Sequence, residues 1–94
     1  MAGNKRLPMG AGTGRELLRL PVTANGIELG RTVAVLADRD GRIVGFELVC
    51  RDGARRFLPA GAADIGATEI RVASALVCLG EPELDWYRER TSAA

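Results

Sequence analysis

Few residues of this chain have side chains that can do chemistry near neutral pH. The sequence contains no histidine, which excludes histidine-dependent catalytic triads, imidazole metal sites and the side chain most used for proton transfer. Two cysteines, Cys50 and Cys78, are too few and too far apart for a disulfide framework or a Cys-x-x-Cys redox pair. Each lies in an apolar, strand-like run, so we expect two buried, reduced thiols. We therefore expect no enzymatic activity, no cofactor and no small-molecule substrate.

Acidic residues between Asp38 and Glu47 follow part of the spacing of an EF-hand calcium loop. The first ligand position of such a loop is Leu36 here, and the flanking segments have strand-like rather than helical patterns. We therefore interpret Asp38 to Gly41 as a hairpin loop in which Gly41 takes the left-handed conformation. No metal site is expected.

Two other patterns resemble active-site motifs but fail in detail. The Gly10-x-Gly12-x-Gly14 run follows no strand and lacks the spacing of a phosphate-binding loop, so residues 1–16 are predicted to be a flexible N-terminal tail. The second pattern is a set of carboxylates near the C-terminus that could act in pairs, namely Glu81, Glu83, Asp85 and Glu89. Nothing in the sequence marks a pocket that would raise the pKa of one of them, so we expect a solvated helix face.

Charge is nearly balanced overall but uneven along the chain. The 94 residues carry thirteen basic and twelve acidic side chains, for a net charge of +1. Residues 1–56 hold ten basic and six acidic groups (net +4), whereas residues 57–94 hold three and six (net −3). Five arginines flank neighbouring hairpins and could form one basic surface that grips phosphates, namely Arg39, Arg42, Arg51, Arg55 and Arg56. The alternative is that they are solvated residues that protect strand edges.

Short apolar runs separated by glycine turns predict a small all-β domain over residues 17–80. Asn25-Gly26, Asp40-Gly41 and Asp52-Gly53 mark three successive turns. In the strand over residues 42–51, Val44, Phe46, Leu48 and Cys50 should face a core, while Ile43, Gly45, Glu47 and Val49 face mostly outward. Residues 69–72 predict another strand, and residues 75–79 a final buried segment. Pro82, with acids early and arginines late, predicts a short helix within residues 81–94.

Four segments occur in an order that is typical of one family. They are residues 27–33 (Ile-Glu-Leu-Gly-Arg-Thr-Val), 38–45 (Asp-Arg-Asp-Gly-Arg-Ile-Val-Gly), 56–59 (Arg-Phe-Leu-Pro), and Ile65-Gly66 followed by residues 69–72 (Glu-Ile-Arg-Val). Over residues 17–79 the chain thereby resembles the PRC-barrel domain, which is found in the photosynthetic reaction centre H subunit and at the C-terminus of the ribosome maturation factor RimM. The resemblance implies a small β-barrel that acts as a protein-interaction module without catalytic residues.

The small core predicted for this length favours a partner. One domain of 94 residues buries little apolar surface against the entropy of ordering its backbone. A short helix also needs its apolar side chains docked, so Leu84, Trp86 and Tyr87 should pack on the barrel or on another chain. We expect a protein partner or self-association, with a homodimer as the simplest form and Trp86 at the contact. An RNA- or ribosome-associated factor, using the arginine-flanked hairpins, is the alternative function.

The longest uninterrupted apolar stretches, residues 33–37 and 75–79, are far short of the roughly 20 residues that span a bilayer. We expect no membrane association and a cytoplasmic location. Twelve of the thirteen basic residues are arginine and alanine is abundant, which is typical of a bacterial genome rich in G and C.

Overall fold

One mixed sheet and one helix form the fold in a computed structural model, which describes residues 17–93. The strands are β1 (Pro21–Ala24), β2 (Ile27–Ala37), β3 (Ile43–Cys50), β4 (Arg55–Pro59), β5 (Asp64–Ile65), β6 (Ile70–Arg71) and β7 (Ser92–Ala93). Helix α1 spans Glu81–Arg90, and two 3-10 helices span Ala60–Ala62 and Ala75–Val77. The strand-rich class and the C-terminal helix are confirmed. The tail predicted for residues 1–16, with its glycine run, lies outside the described residues.

The three predicted turns connect β1 to β2, β2 to β3, and β3 to β4. Asn25 and Gly26 have φ angles of 53° and 81°, and Gly41 and Gly53 have φ angles of 83° and 85°. These left-handed conformations carry little steric cost for glycine. Asp38 fixes its loop because its Oδ1 accepts hydrogen bonds from the backbone N–H groups of Asp40 and Arg42, both at 2.9 Å. The hairpin interpretation of this acidic loop is therefore confirmed.

The sheet order is β4-β3-β2-β1-β6-β5, with β7 added beside the far end of β2. All pairs are antiparallel except β1 with β6. The pairings among residues 17–93 leave β4 and β5 at opposite ends of an open sheet, so the expected closed barrel is not formed by strands. Residues 72–79 instead cross from β1, where Val72 N–H donates to Thr23 O, to the outer edge of β4, where Leu79 pairs with Phe57.

A bulge near the start of β3 changes which side chains face the core. In the β2–β3 register Leu36 opposes Gly45 and Ala37 opposes Ile43, so Val44 is an extra residue. Because a bulge breaks the two-residue alternation, Val44 packs under helix α1, whereas Ile43 packs against the main core. The predicted inward position is therefore correct for Phe46 and Leu48 but wrong for Val44.

Two apolar clusters lie on the two faces of the sheet. The larger one is centred on Phe46, Leu48 and Leu58 and draws residues from β1, β2, β3, β4 and β6. The smaller one consists of Leu36, Phe57 and Leu84 with partly buried neighbours, and it joins helix α1 to the outer face of β3 and β4. The face that the sequence pattern assigns to solvent is thus covered here.

The apolar run at residues 75–79 does not form a buried segment. Ser74 Oγ accepts a hydrogen bond from Leu76 N–H at 2.9 Å, and the chain tightens into the 3-10 helix Ala75–Val77. Cys78 is buried, but the Leu76 side chain is 89% exposed. The prediction is wrong because this segment turns to reach the edge of β4 and does not continue the sheet.

Helix α1 has ten residues, and within residues 17–93 no helix has the length and apolar character that crossing a membrane requires.

Candidate functional site

Helix α1 brings the three predicted contact residues to one part of the surface. Pro82 lies in its first turn, the acids Glu81 and Glu83 flank Pro82, and Arg88 and Arg90 lie in the last turn, which suits the helix dipole. Leu84 is fully buried and packs with Leu36 and Phe57. The structure therefore assigns Leu84 to the internal packing of this chain and removes it from the candidate partner contacts.

Phe57 is the residue on which helix α1 rests. Tyr87 stacks on its ring, with centroids 4.0 Å apart and an interplanar angle of 10°. Next to it, a Cβ atom added at Gly45 would lie 2.3 Å from Phe57 Cζ. Only glycine at position 45 leaves room for the ring in this position. Tyr87 is consequently half-buried, and its ring face is used within the chain.

Trp86 is the member of the predicted trio that reaches solvent, with 50% of its surface exposed. Its ring meets Tyr87 edge-on at 4.9 Å, and the Arg90 guanidinium lies 3.9 Å from its centroid. Arg90 Nη1 also donates to the Trp86 carbonyl at 2.8 Å. One ring face is therefore occupied by a cation–π contact.

A buried carboxylate links helix α1 to the sheet. Glu47, which the alternation places outward, is only 6% exposed because α1 covers its face. Its Oε2 accepts hydrogen bonds from Arg55 Nη1 and Arg88 Nη2, both at 2.6 Å, and its Oε1 accepts one from Arg88 Nε at 3.3 Å. Burial by itself raises the pKa of Glu47, but the hydrogen bonds and charges of the two arginines outweigh it and hold that pKa below 4.5.

The five candidate basic residues do not form one surface. Arg39 and Arg42 flank the loop that precedes β3, whereas Arg51, Arg55 and Arg56 flank the turn that follows it. Successive hairpin turns lie at opposite ends of the strand they share, and eight residues at about 3.3 Å each separate the two groups by more than about 20 Å. In addition, Arg55 is bound to Glu47 and Arg56 lies 3.7 Å from Asp52. The strand order therefore divides the five arginines into two groups at opposite ends of β3.

The end of β3 borders an open groove of about 520 Å³ that the sequence patterns do not reveal. Leu29, Cys50, Ala75, Leu76 and Cys78 give it an apolar lining, and Glu28, Arg51, Asp52 and Arg56 give it a polar one. The groove exists because the 3-10 helix Ala75–Val77 crosses near the start of β2 and the β3–β4 turn. Ser74, a residue type that caps helices, is the one sequence signal for that crossing.

Both cysteines line this groove as free thiols. Cys78 is buried, as predicted, but Cys50 is only half-buried. Burial raises the pKa of each thiol, and for Cys78 the neighbouring Cys50 raises it further. Arg56 lowers both pKa values without reversing the net shift. The two thiols are therefore protonated and weakly nucleophilic at neutral pH.

The acidic residues do not assemble into a metal site. Glu81, Glu83, Asp85 and Glu89 are all exposed on helix α1, as predicted. Within residues 17–93, no group of three or more histidine, cysteine or acidic side chains is arranged to hold a metal ion.

Comparison with known proteins adds no assignment. No protein-family model matches the chain, and no curated protein is significantly similar to it.

Proposed function

We propose that this chain is a non-enzymatic protein-interaction module, built as a PRC-barrel-like domain, which self-associates in the cytoplasm. The free thiols Cys50 and Cys78 fit a reducing compartment. The buried ionisable groups give little support to catalysis. The Glu47 carboxylate is ion-paired with two arginines and has a lowered pKa, and burial keeps both thiols protonated.

The PRC-barrel-like part of the proposal draws support from the shape of the core. One apolar cluster takes side chains from five of the seven strands, which requires the sheet to curl around it. Residues 72–79 follow β6 and run to the free edge of β4, with backbone hydrogen bonds to Thr23 at one end and to Phe57 at the other. In such a barrel, residues 72–79 would take the place of a closing strand.

The interaction part rests on one observation: large apolar side chains are exposed on ordered elements. Leu76 on its 3-10 helix is 89% exposed, Ile27 at the start of β2 is 63% exposed, and Trp86 on helix α1 is 50% exposed. Scattered apolar residues are common on surfaces, but Leu76 borders an open, partly apolar groove. Exposed apolar surface next to a concave site is typical of a protein-binding face.

Strand addition at β4 is a poor route to association. Phe57 N–H and C=O are already bonded to Leu79 at 2.8 and 2.7 Å, and Pro59 has no N–H to donate. The centre of the β4 edge is therefore occupied, which disfavours the addition of a further strand there.

The RNA-binding alternative loses its main support with the separation of the arginines. Two groups at opposite ends of β3 do not make the continuous basic groove that typically tracks a single-stranded backbone, and one face of the exposed Trp86 ring is already covered by Arg90.

Sedimentation velocity over a wide range of protein concentration tests the proposal. We expect the weight-average sedimentation coefficient to rise with concentration, and the melting temperature to rise with it because association stabilises the folded state. A sedimentation coefficient that stays at the monomer value up to millimolar protein would refute self-association. An RNA filter-binding assay at physiological salt, expected to show no retention, separates the alternative.

A further inference from the structure

We propose that two copies associate about a twofold axis at the Leu76 groove, each inserting its Leu76 side chain into the groove of the other. This rests on the proposed self-association and names the surface that carries it. The Leu76 groove is defined by Leu29, Cys50, Ala75, Leu76 and Cys78, with Glu28, Arg51, Asp52 and Arg56 as its polar lining.

The shape of this face suits a twofold contact. Such an interface uses the same patch on both copies, so the patch must carry a projection and a matching depression side by side. Leu76 is the most exposed of the large hydrophobic side chains in the described chain, and it lies on the rim of a groove of about 520 Å³. A groove of this volume has room for a leucine side chain, and its apolar lining would remove that side chain from water.

The projection is held in a defined position before any partner binds. Ser74 Oγ accepts from Leu76 N–H at 2.9 Å, and Cys78 N–H donates to Ala75 O at 3.1 Å. At the other end of the segment, Leu79 is bonded to Phe57. An ordered projection loses less conformational entropy on docking than a flexible loop would.

The charges of the groove favour a second copy over a strongly charged partner. Two acidic and two basic side chains line it, so the lining has no strong net charge that would select a highly charged partner. Glu28 is paired with Arg31, and Asp52 with Arg56. The Arg51 guanidinium is exposed and makes no ion pair or hydrogen bond with the described residues 17–93. About a twofold axis, Arg51 of one copy can meet the exposed Asp52 carboxylate of the other.

Helix α1 contributes no residue to this face, which separates the Leu76 groove from the Trp86 surface. The two surfaces can therefore be tested independently. Replacing Leu76 by serine removes an exposed side chain, so the variant should fold with an unchanged melting temperature when it is measured at a monomeric concentration.

The first experiment compares Leu76→Ser with Trp86→Ala by sedimentation velocity of the full chain. We expect Leu76→Ser to raise the dimer dissociation constant at least about a hundredfold, because each dimer loses two buried leucine side chains. Trp86→Ala, at the residue that the sequence pattern places at the contact, should instead leave that constant within about twofold, because helix α1 does not line the groove. If wild type associates and Leu76→Ser associates equally well, the groove is not the interface although the proposed function stands. If wild type is monomeric throughout, the proposed function itself fails.

The second experiment uses a pair of variants with equal charge change. Arg51→Glu, at the groove, should weaken the dimer at least about tenfold, and Arg39→Glu, at the opposite end of β3, should not. Modification of Cys50 by an aromatic disulfide reagent should also slow as protein concentration rises, since the second copy covers the groove. Equal effects of the two arginine variants, together with labelling that is independent of concentration, would overturn the proposed interface.

Discussion

Replacing Glu47 by glutamine tests whether a buried charge fastens helix α1 to the sheet. The substitution keeps the shape of the side chain and one carbonyl acceptor but removes the negative charge that faces Arg55 and Arg88. Glutamine also brings an N–H group toward two guanidinium groups, which have no acceptor to offer it. We therefore expect a loss of stability centred on the helix contact.

The magnitude follows from the two short contacts at 2.6 Å. A hydrogen bond to a charged group contributes about 1.5–3 kcal/mol net. The arginine side chains are 50% and 42% exposed, so water replaces part of what they lose. We expect a total loss of about 2 kcal/mol, which corresponds to a fall in Tm of about 8–16 °C for a domain of this size.

Thermal unfolding followed by circular dichroism at pH 7 measures this loss. Glu83→Gln is the matched control: it makes the same charge change at an exposed position of helix α1, where it loses only a helix-dipole contribution of about 0.5 kcal/mol and should lower Tm by about 2–4 °C. A Glu47→Gln variant that melts within 2 °C of wild type would show that the ion pairs do not stabilise the fold.

The pH dependence gives an independent check on the same residue. The folded-state pKa of Glu47 lies below 4.5, so the contribution of its charge is fully present above about pH 4.5 and is lost as the pH falls through the folded-state value. The stability difference between wild type and Glu47→Gln should therefore shrink as the pH is lowered below about 4.5. A difference that stays constant over that range would contradict the assignment.

Three further outcomes are expected. Leu84→Ala should cost about 2–5 kcal/mol in urea unfolding, because it empties a fully buried site under helix α1. Gly45→Ala should cost more than about 1 kcal/mol, because its Cβ would lie 2.3 Å from the Phe57 ring, whereas Gly61→Ala, with no atom within 4 Å, should cost less than about 0.5 kcal/mol. In the native protein, Cys50 should react with a thiol reagent faster than Cys78, because it is less buried.

Each of these three expectations has a result that would contradict it. A Leu84→Ala variant that keeps its helical signal and stability would mean that α1 is not anchored by its apolar side. Equal costs at Gly45 and Gly61 would contradict the close approach of the Phe57 ring. Faster modification of Cys78 than of Cys50 would contradict the greater burial of Cys78.

Local features of the fold could be predicted because their causes are local. The turns at Gly26, Gly41 and Gly53 depend on residues that tolerate left-handed backbone. Helix α1 follows from Pro82 and the order of its charges. The buried positions of Phe46 and Leu48 follow from simple alternation along β3.

The remaining features depend on contacts between segments that are distant in the sequence. Val44 and Glu47 change their environment only because a bulge and a helix from the C-terminal end of the chain act on β3. Leu76 looks like core in an apolar run, and only the crossing from β6 to β4 exposes it. The Leu76 groove could not be predicted, because it is formed by three segments whose proximity no local pattern encodes.

The hydrogen bonds between Leu79 and Phe57 also bear on aggregation. These bonds occupy the backbone groups at the centre of β4, a strand that carries adjacent phenylalanine and leucine side chains. If this segment detaches while β3 and β4 remain paired, those groups become free to template cross-β growth. Conditions that loosen the crossing segment before the hairpin melts should therefore favour fibrillar deposits over reversible unfolding.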